Sequence, residues 1–181
     1  MNHEESTNIL SLNGNKSLNM GESNAHQRLA VAQGDLFHQE CIRSLQIAGF
    51  EVADQHVRIA EIGVEIDAIT NNANGIAMPW EFKGSWNGSR PGLRRTDTLK
   101  KAICNGYLLT QWSQADRLTP LLVMTTHLPE DGSGLAMMHA VGRNVVMAFV
   151  DSRDTKLLTW LYKASEETLI GYISQQVMNF N

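Results

Sequence analysis

Cysteine occurs only twice in the 181 residues, as Cys41 and Cys104, and neither has a second Cys or a His at zinc-ligand spacing. A cysteine-built zinc site is thereby excluded, and both thiols are read as core residues of helical segments. No stretch approaches the roughly 18 consecutive apolar residues of a membrane span, and residues 1–24, rich in Asn and Ser, contain no apolar signal core. The expectation is a cytoplasmic protein with no membrane partner. A GxxxxGK[ST] loop is missing, so nothing points to nucleotide-driven translocation by this chain. No internal repeat is present. Nor is there a global excess of basic residues: the net charge is −4, a balance that weakens the case for a nucleic-acid partner unless the charge is unevenly placed.

It is unevenly placed. Between Gly84 and Gln111 stand Arg90, Arg94, Arg95, Lys100 and Lys101 against one acid, Asp97, which gives +4 there and leaves −8 for the rest. With 43% hydrophobic residues the chain can form one well-packed core. Residues 1–24 have few large apolar side chains and no period, so they are expected to be a disordered or loosely attached tail, with residues 25–181 as one domain.

Apolar positions Ala30, Phe37, Cys41, Leu45 and Ala48 predict a long amphipathic helix from about His26 to Ala48, stopped by Gly49. Three extended runs follow: Phe50 to Ala60, Val64 to Thr70 and Ile76 to Lys83, the last two separated by a turn signal of Asn71, Asn72, Asn74 and Gly75. Thr96 or Thr98 is the expected cap of a helix with Leu99, Ala102, Ile103, Gly106 and Leu109 on its apolar face; Lys100, Lys101 and Asn105 fall outside that stripe. Pro120 to Thr126 reads as a strand buried on both faces, and Val145 to Asp151 as a further strand. Helices are expected near Lys156 to Ala164 and Glu166 to Met178.

A hairpin centred near Asn74 pairs Ile66 with Phe82 and Ala68 with Trp80. Its even-numbered side chains Val64, Ile66, Ala68, Met78, Trp80 and Phe82 then form one apolar face, and the opposite face carries Glu65, Asp67, Glu81 and Lys83. In that register Asp67 lies across from Glu81, close enough for two carboxylates to share a hard cation such as Mg²⁺ with positions left for water and a phosphate oxygen. Lys83, two residues beyond Glu81, points to the same side, where an ammonium can orient water or offset charge on phosphorus. An isolated Glu-x-Lys arises by chance in about one of every two chains of this length. The signal is the conjunction of acid, turn, Glu-x-Lys and the basic segment behind it.

The segments "GVEIDAI" and "MPWEFKGSW" resemble the PD-(D/E)xK, or restriction-endonuclease-like, nuclease superfamily over about Gln27 to Thr126. The resemblance implies an α/β fold with a restriction-endonuclease-like core (helix, three-strand antiparallel meander, helix, strand) followed here by C-terminal helices. It also implies Mg²⁺-dependent cleavage of DNA, with Mn²⁺ as a substitute ion. Asp67 matches the first-strand acid, Glu81 and Lys83 match the Glu-x-Lys pair, and Glu40 matches a helical acid that often adds to the site. The backbone carbonyl of Phe82 is a further candidate metal ligand, and Glu65 a weaker one. The family's usual proline before the first acid is replaced by Ile66.

For the basic segment the functional reading is contact with the phosphate backbone by Arg90, Arg94, Arg95, Lys100 and Lys101, with Ser85 or Thr96 donating to phosphates and Trp86 either stacking on a base or packing down as a lid. His127 and His139 lack the spacing of a metal site. Three functions fit these residues: a restriction-like endodeoxyribonuclease, a structure-selective nuclease of recombination, transposition or junction resolution, and a non-cleaving DNA- or partner-binding module on the same fold. Small size places any sequence specificity in loops, in a homodimer or in a partner subunit.

Overall fold

The computed structural model describes residues 32–84 and 91–175. Helix α1 occupies residues 32–48 and buries Phe37, Cys41 and Leu45, one turn apart from one another. It stops where expected, at Gly49, whose φ of 106° favours glycine and whose hydrogen leaves room for the ring of Tyr162. The start expected at His26 and the stripe position Ala30 lie outside the described residues, as do residues 1–24.

Strands β1 (Glu51–Ile59), β2 (Val64–Asn71) and β3 (Ala77–Lys83) form the antiparallel meander. Helix α2 (Thr96–Thr110) carries the chain over one face to β4 (Leu121–Thr125), and α3 (Gly132–Ala140) carries it on to β5 (Val146–Asp151). Both crossovers join parallel neighbours, β3 to β4 and β4 to β5, so the open five-stranded sheet is mixed and runs in chain order. Helices α4 (Thr155–Lys163) and α5 (Glu166–Ser174) close the chain.

Two apolar clusters sandwich the sheet. One joins α1, α4 and α5 to Met78, Trp80, Phe82, Leu122 and Met124, and the other joins α2 and α3 to Ile59, Leu121, Val123 and Val146. The result is an α/β domain whose central strands are covered on both sides. β4 is buried at every position, as its continuous apolar run predicts.

Four details depart from the sequence expectations. The even-numbered residues of β2 and β3 are all buried, but they do not form one face: Ala68, Met78, Trp80 and Phe82 pack under α1, whereas Val64 and Ile66 belong to the cluster under α2. The cap of α2 is Arg95, without a side-chain bond, and Thr96 is already helical. Cys41 is buried, but Cys104 is exposed, because α2 turns Leu99, Ala102, Gly106 and Leu109 inward instead. Finally, Gly132–Ala140, for which the sequence pattern predicts no element, is helical; its two early glycines carry little helical propensity, and tertiary packing of Met137 and Met138 supplies what local preference does not.

The Asn-rich turn is more than a chain reversal. Asn72, nearly fully buried, accepts from the backbone N–H groups of Asn74 (2.9 Å) and Ile76 (3.1 Å) and donates to the carbonyls of Leu161 (3.3 Å) and Ala164 (2.8 Å) at the end of α4. One side chain closes the hairpin and satisfies orphan helix carbonyls. Replacement by alanine leaves several buried backbone groups without partners and is expected to cost about 2–3 kcal/mol in urea unfolding, against under about 1 kcal/mol for alanine at its exposed neighbour Asn74.

Candidate active site

The site grows from the point where β2 and β3 part. Their ladder pairs Asn71 with Ala77 and ends at Ala68 with Trp80, so the register is the one centred on residue 74, but the two pairs expected beyond it, Asp67 with Glu81 and Ile66 with Phe82, do not form. The Phe82 N–H is taken by the Asp67 carboxylate, which accepts through Oδ2 at 2.6 Å, and β3 continues instead in parallel register with β4. A side chain substitutes for the next rung of the ladder. This is why Asp67 sits at a fork in the sheet rather than on an unbroken face.

Glu81 and Lys83 project to the same side, as their spacing of two requires, and form an ion pair between Lys83 Nζ and Glu81 Oε1. The expected open, solvated face is not what surrounds them. The Glu81 side chain is only 3% exposed, because α2 crosses over it and Asn105 donates to the same Oε1 at 3.2 Å. Asn105, outside the apolar stripe, thus faces neither solvent nor a ligand but the candidate acid. Lys83 remains about a quarter exposed.

Glu81 Oε2 is buried and has no hydrogen-bond partner. Burial pushes the Glu81 carboxyl above the ordinary carboxylate range; Lys83 pulls it down, Asp67 pushes it further up, and the bonds from Lys83 and Asn105 pull it down again. Burial prevails. Because the folded carboxyl holds its proton more tightly than the unfolded one, ionised Glu81 costs stability above its raised pKa, and that cost is relieved as pH falls through that pKa toward the ordinary range. Wild type is therefore expected to gain stability relative to Glu81→Gln over this acid interval, measured by paired urea titrations. A difference independent of pH refutes the coupling.

An orphaned carboxylate oxygen beside a second acid is a donor set suited to a hard divalent cation. Asp67 Oδ2 and Glu81 Oε1 are engaged by protein donors, so the uncommitted oxygens are Asp67 Oδ1 and Glu81 Oε2; Asp67 lines the cleft beside α1, whereas Glu81 and Lys83 do not. Phe82 borders the cleft next to Asp67.

The other predicted residues are less gathered. Glu40 is exposed on α1 and does not line this cleft; the α1 residues that do are Gly34, Asp35, His38 and Gln39. Glu65 lines it, with its carboxylate 3.9 Å from His56 Nδ1. Ser85, Trp86 and Arg90 lie outside the described residues. Arg94 pairs with Glu130, and Arg95 with Asp97 at 3.2 Å. The acid that engages Arg94 comes from a distant segment that a charge count over Gly84 to Gln111 omits. Lys100 lines an apolar groove with Tyr107 and Met137, whereas Lys101, exposed, lies one helical turn before Asn105. The four described cations, Arg94, Arg95, Lys100 and Lys101, do not form one unpaired surface.

Sequence reasoning missed His38 and His56. Among the described residues the metal-capable group of three is His38, His56 and Asp67, whose ligand atoms all lie within 4.8 Å of one another; neither His127 nor His139 belongs to it. The histidines are 18 positions apart on a helix and a strand, so no local spacing marks them. The usable signal was register: Gln55 pairs with Ala68 and Val57 with Ile66, which sets His56 against Asp67. No family model matches the chain, and neither a curated protein nor a solved structure matches it significantly.

Proposed function

We propose that this chain is a divalent-metal-dependent nuclease with a restriction-endonuclease-like core, hydrolysing DNA phosphodiester bonds at Asp67, Glu81 and Lys83. The observation that carries the reading is the state of Glu81, a carboxylate buried at some cost, with Oε1 held by Lys83 and Asn105 and Oε2 left unpartnered. A purely structural glutamate gains nothing from that arrangement, since a glutamine or an apolar residue would fill the same space without the desolvation penalty. Buried acids with displaced pKa values concentrate where charge is handled.

Asp67 Oδ1 and Glu81 Oε2 are the atoms that would hold Mg²⁺ or Mn²⁺, with the Phe82 carbonyl as a further ligand. When bound, such an ion neutralises charge on a phosphate oxygen and makes its water more acidic. The protein's own contribution is positional. The Phe82 N–H fixes the Asp67 carboxylate, and Asn105 fixes that of Glu81 from the opposite layer. Lys83, tied to Glu81 yet partly exposed, holds an ammonium where it can meet an incoming phosphate or orient a water toward phosphorus. The helix α2 that buries Glu81 also carries Lys101 on the same side as Asn105, a contact for the sugar-phosphate chain.

Incubating the purified protein with supercoiled, linear and branched DNA, in Mg²⁺ and in EDTA, tests the reading. Mg²⁺-dependent cleavage abolished by chelation is expected. Preference for branched substrates identifies a structure-selective nuclease; tight DNA binding with no cleavage of any substrate overturns the catalytic assignment in favour of a binding module.

A further inference from the structure

The geometry points to a second metal site, for a zinc-class divalent transition ion, formed by His38, His56 and Asp67 on the α1 side of the fork. It goes beyond the nuclease reading, with which it shares only Asp67. Three elements converge on it, α1, β1 and β2, and the three ligand atoms lie within 4.8 Å of one another beside a cleft of about 560 Å³. Two imidazoles and one carboxylate are the ligand set of borderline ions such as Zn²⁺, not of Mg²⁺, which takes oxygen ligands. Three protein ligands leave a coordination position open toward the cleft.

Two of the three ligands, His38 and Asp67, are oriented by a hydrogen-bonded second group, as metal ligands are. His38 Nε2 meets Gln55 Oε1 at 3.2 Å, so with that nitrogen protonated the lone pair is on Nδ1. His56 turns Nδ1 toward Glu65 Oε1, 3.9 Å away, and keeps Nε2 for an ion. Asp67 has Oδ2 on the Phe82 N–H and keeps Oδ1. Each residue thus keeps one donor atom, and that of Asp67, Oδ1, is the same oxygen the nuclease reading offers to Mg²⁺, so the two ions would meet at it.

The backbone agrees. His56 is the sole non-glycine residue with positive φ (54°) among the described residues, and it holds that conformation within a β-strand. A strained residue of this kind persists where its position is used. The two rings stack with centroids 4.5 Å apart and planes 12° from parallel. In a tetrahedral zinc site with bonds of about 2.0–2.1 Å, neighbouring ligand atoms are about 3.4 Å apart. Ligation therefore requires the rings to swing together by roughly 1 Å, which the exposed His56 side chain permits.

The test is titration of the full-length protein, stripped by chelation, with Zn²⁺ in a calorimeter and with Co²⁺ as a visible-absorption probe. One equivalent is expected to bind wild type, with affinity reduced at least about tenfold by His38→Ala and by His56→Asn, asparagine being tolerant of positive φ. Glu81→Gln, which removes the proposed Mg²⁺ carboxylate, is expected to bind Zn²⁺ as wild type does. Equal affinity in wild type and both histidine variants overturns the site, as does loss of Zn²⁺ binding in Glu81→Gln. Should a histidine variant fail to fold, the His38 and His56 ring resonances of wild type on adding Co²⁺ decide between the outcomes: broadening supports the site, unbroadened rings refute it. Because Glu81→Gln separates the two ions, failure here leaves the Mg²⁺-dependent reading to its own assay.

Discussion

Replacing Lys83 by alanine is expected to lower kcat for Mg²⁺-dependent DNA cleavage about a hundred- to a thousandfold, the range for removing one positioned donor from a phosphoryl- or acyl-transfer site. KM should change little, since the ammonium is proposed to act on charge that develops at phosphorus and not on the bound ground state. The variant has a second, separable consequence. Lys83 is the group that does most to hold the Glu81 carboxyl down against its burial, so its loss raises Glu81 further and weakens the folded state at neutral pH. Circular dichroism at the assay temperature distinguishes the two, and Lys83→Arg, which keeps the charge, should recover part of both. Cleavage by folded Lys83→Ala within about threefold of wild type would remove Lys83 from the chemistry.

Trp80→Ala should be among the most damaging single substitutions to stability, at about 3–5 kcal/mol by urea denaturation. Trp80 is fully buried in the middle of β3, meets the Phe50 ring edge-on at 5.8 Å and donates from Nε1 to the buried Thr70 hydroxyl at 2.9 Å. Truncation empties an indole-sized space between α1 and α4 and strands the hydroxyl. Against a total stability of roughly 5–15 kcal/mol, a loss of that size threatens the fold itself. Trp80→Phe keeps most of the volume and should cost about 1–2 kcal/mol, chiefly the lost hydrogen bond. Equal costs for the two variants would show that packing is not what Trp80 supplies.

Much of the architecture was legible along the chain. Alternation in Val64 to Thr70, an Asn/Gly turn and a second extended run specify the hairpin register, and the structure pairs Ala68 with Trp80 as that register requires. The five strands and four of the five described helices fall where periodicity puts them, because each has an apolar pattern that matches its own repeat. Helix α3 does not, since its glycines mimic a loop and its burial depends on α2. The site was legible only as a set of residue types. That Glu81 is buried follows from α2 crossing over it, a tertiary fact with no local trace. The salt bridge from Arg94 to Glu130 and the approach of His38 to Asp67 are likewise products of the assembled sheet.

The left-handed turn of backbone at His56 has one more consequence. β1 is an edge of the sheet, its outer side lined by Asp54, Gln55, His56 and Arg58 and largely exposed. Exposed edges are templates on which neighbouring molecules extend a sheet without limit. A residue at φ 54° breaks the regular row of outward N–H and C=O groups in mid-strand, and the charges on either side discourage an apolar partner. The irregularity that lies beside Asp67 therefore also disfavours edge-to-edge pairing along β1.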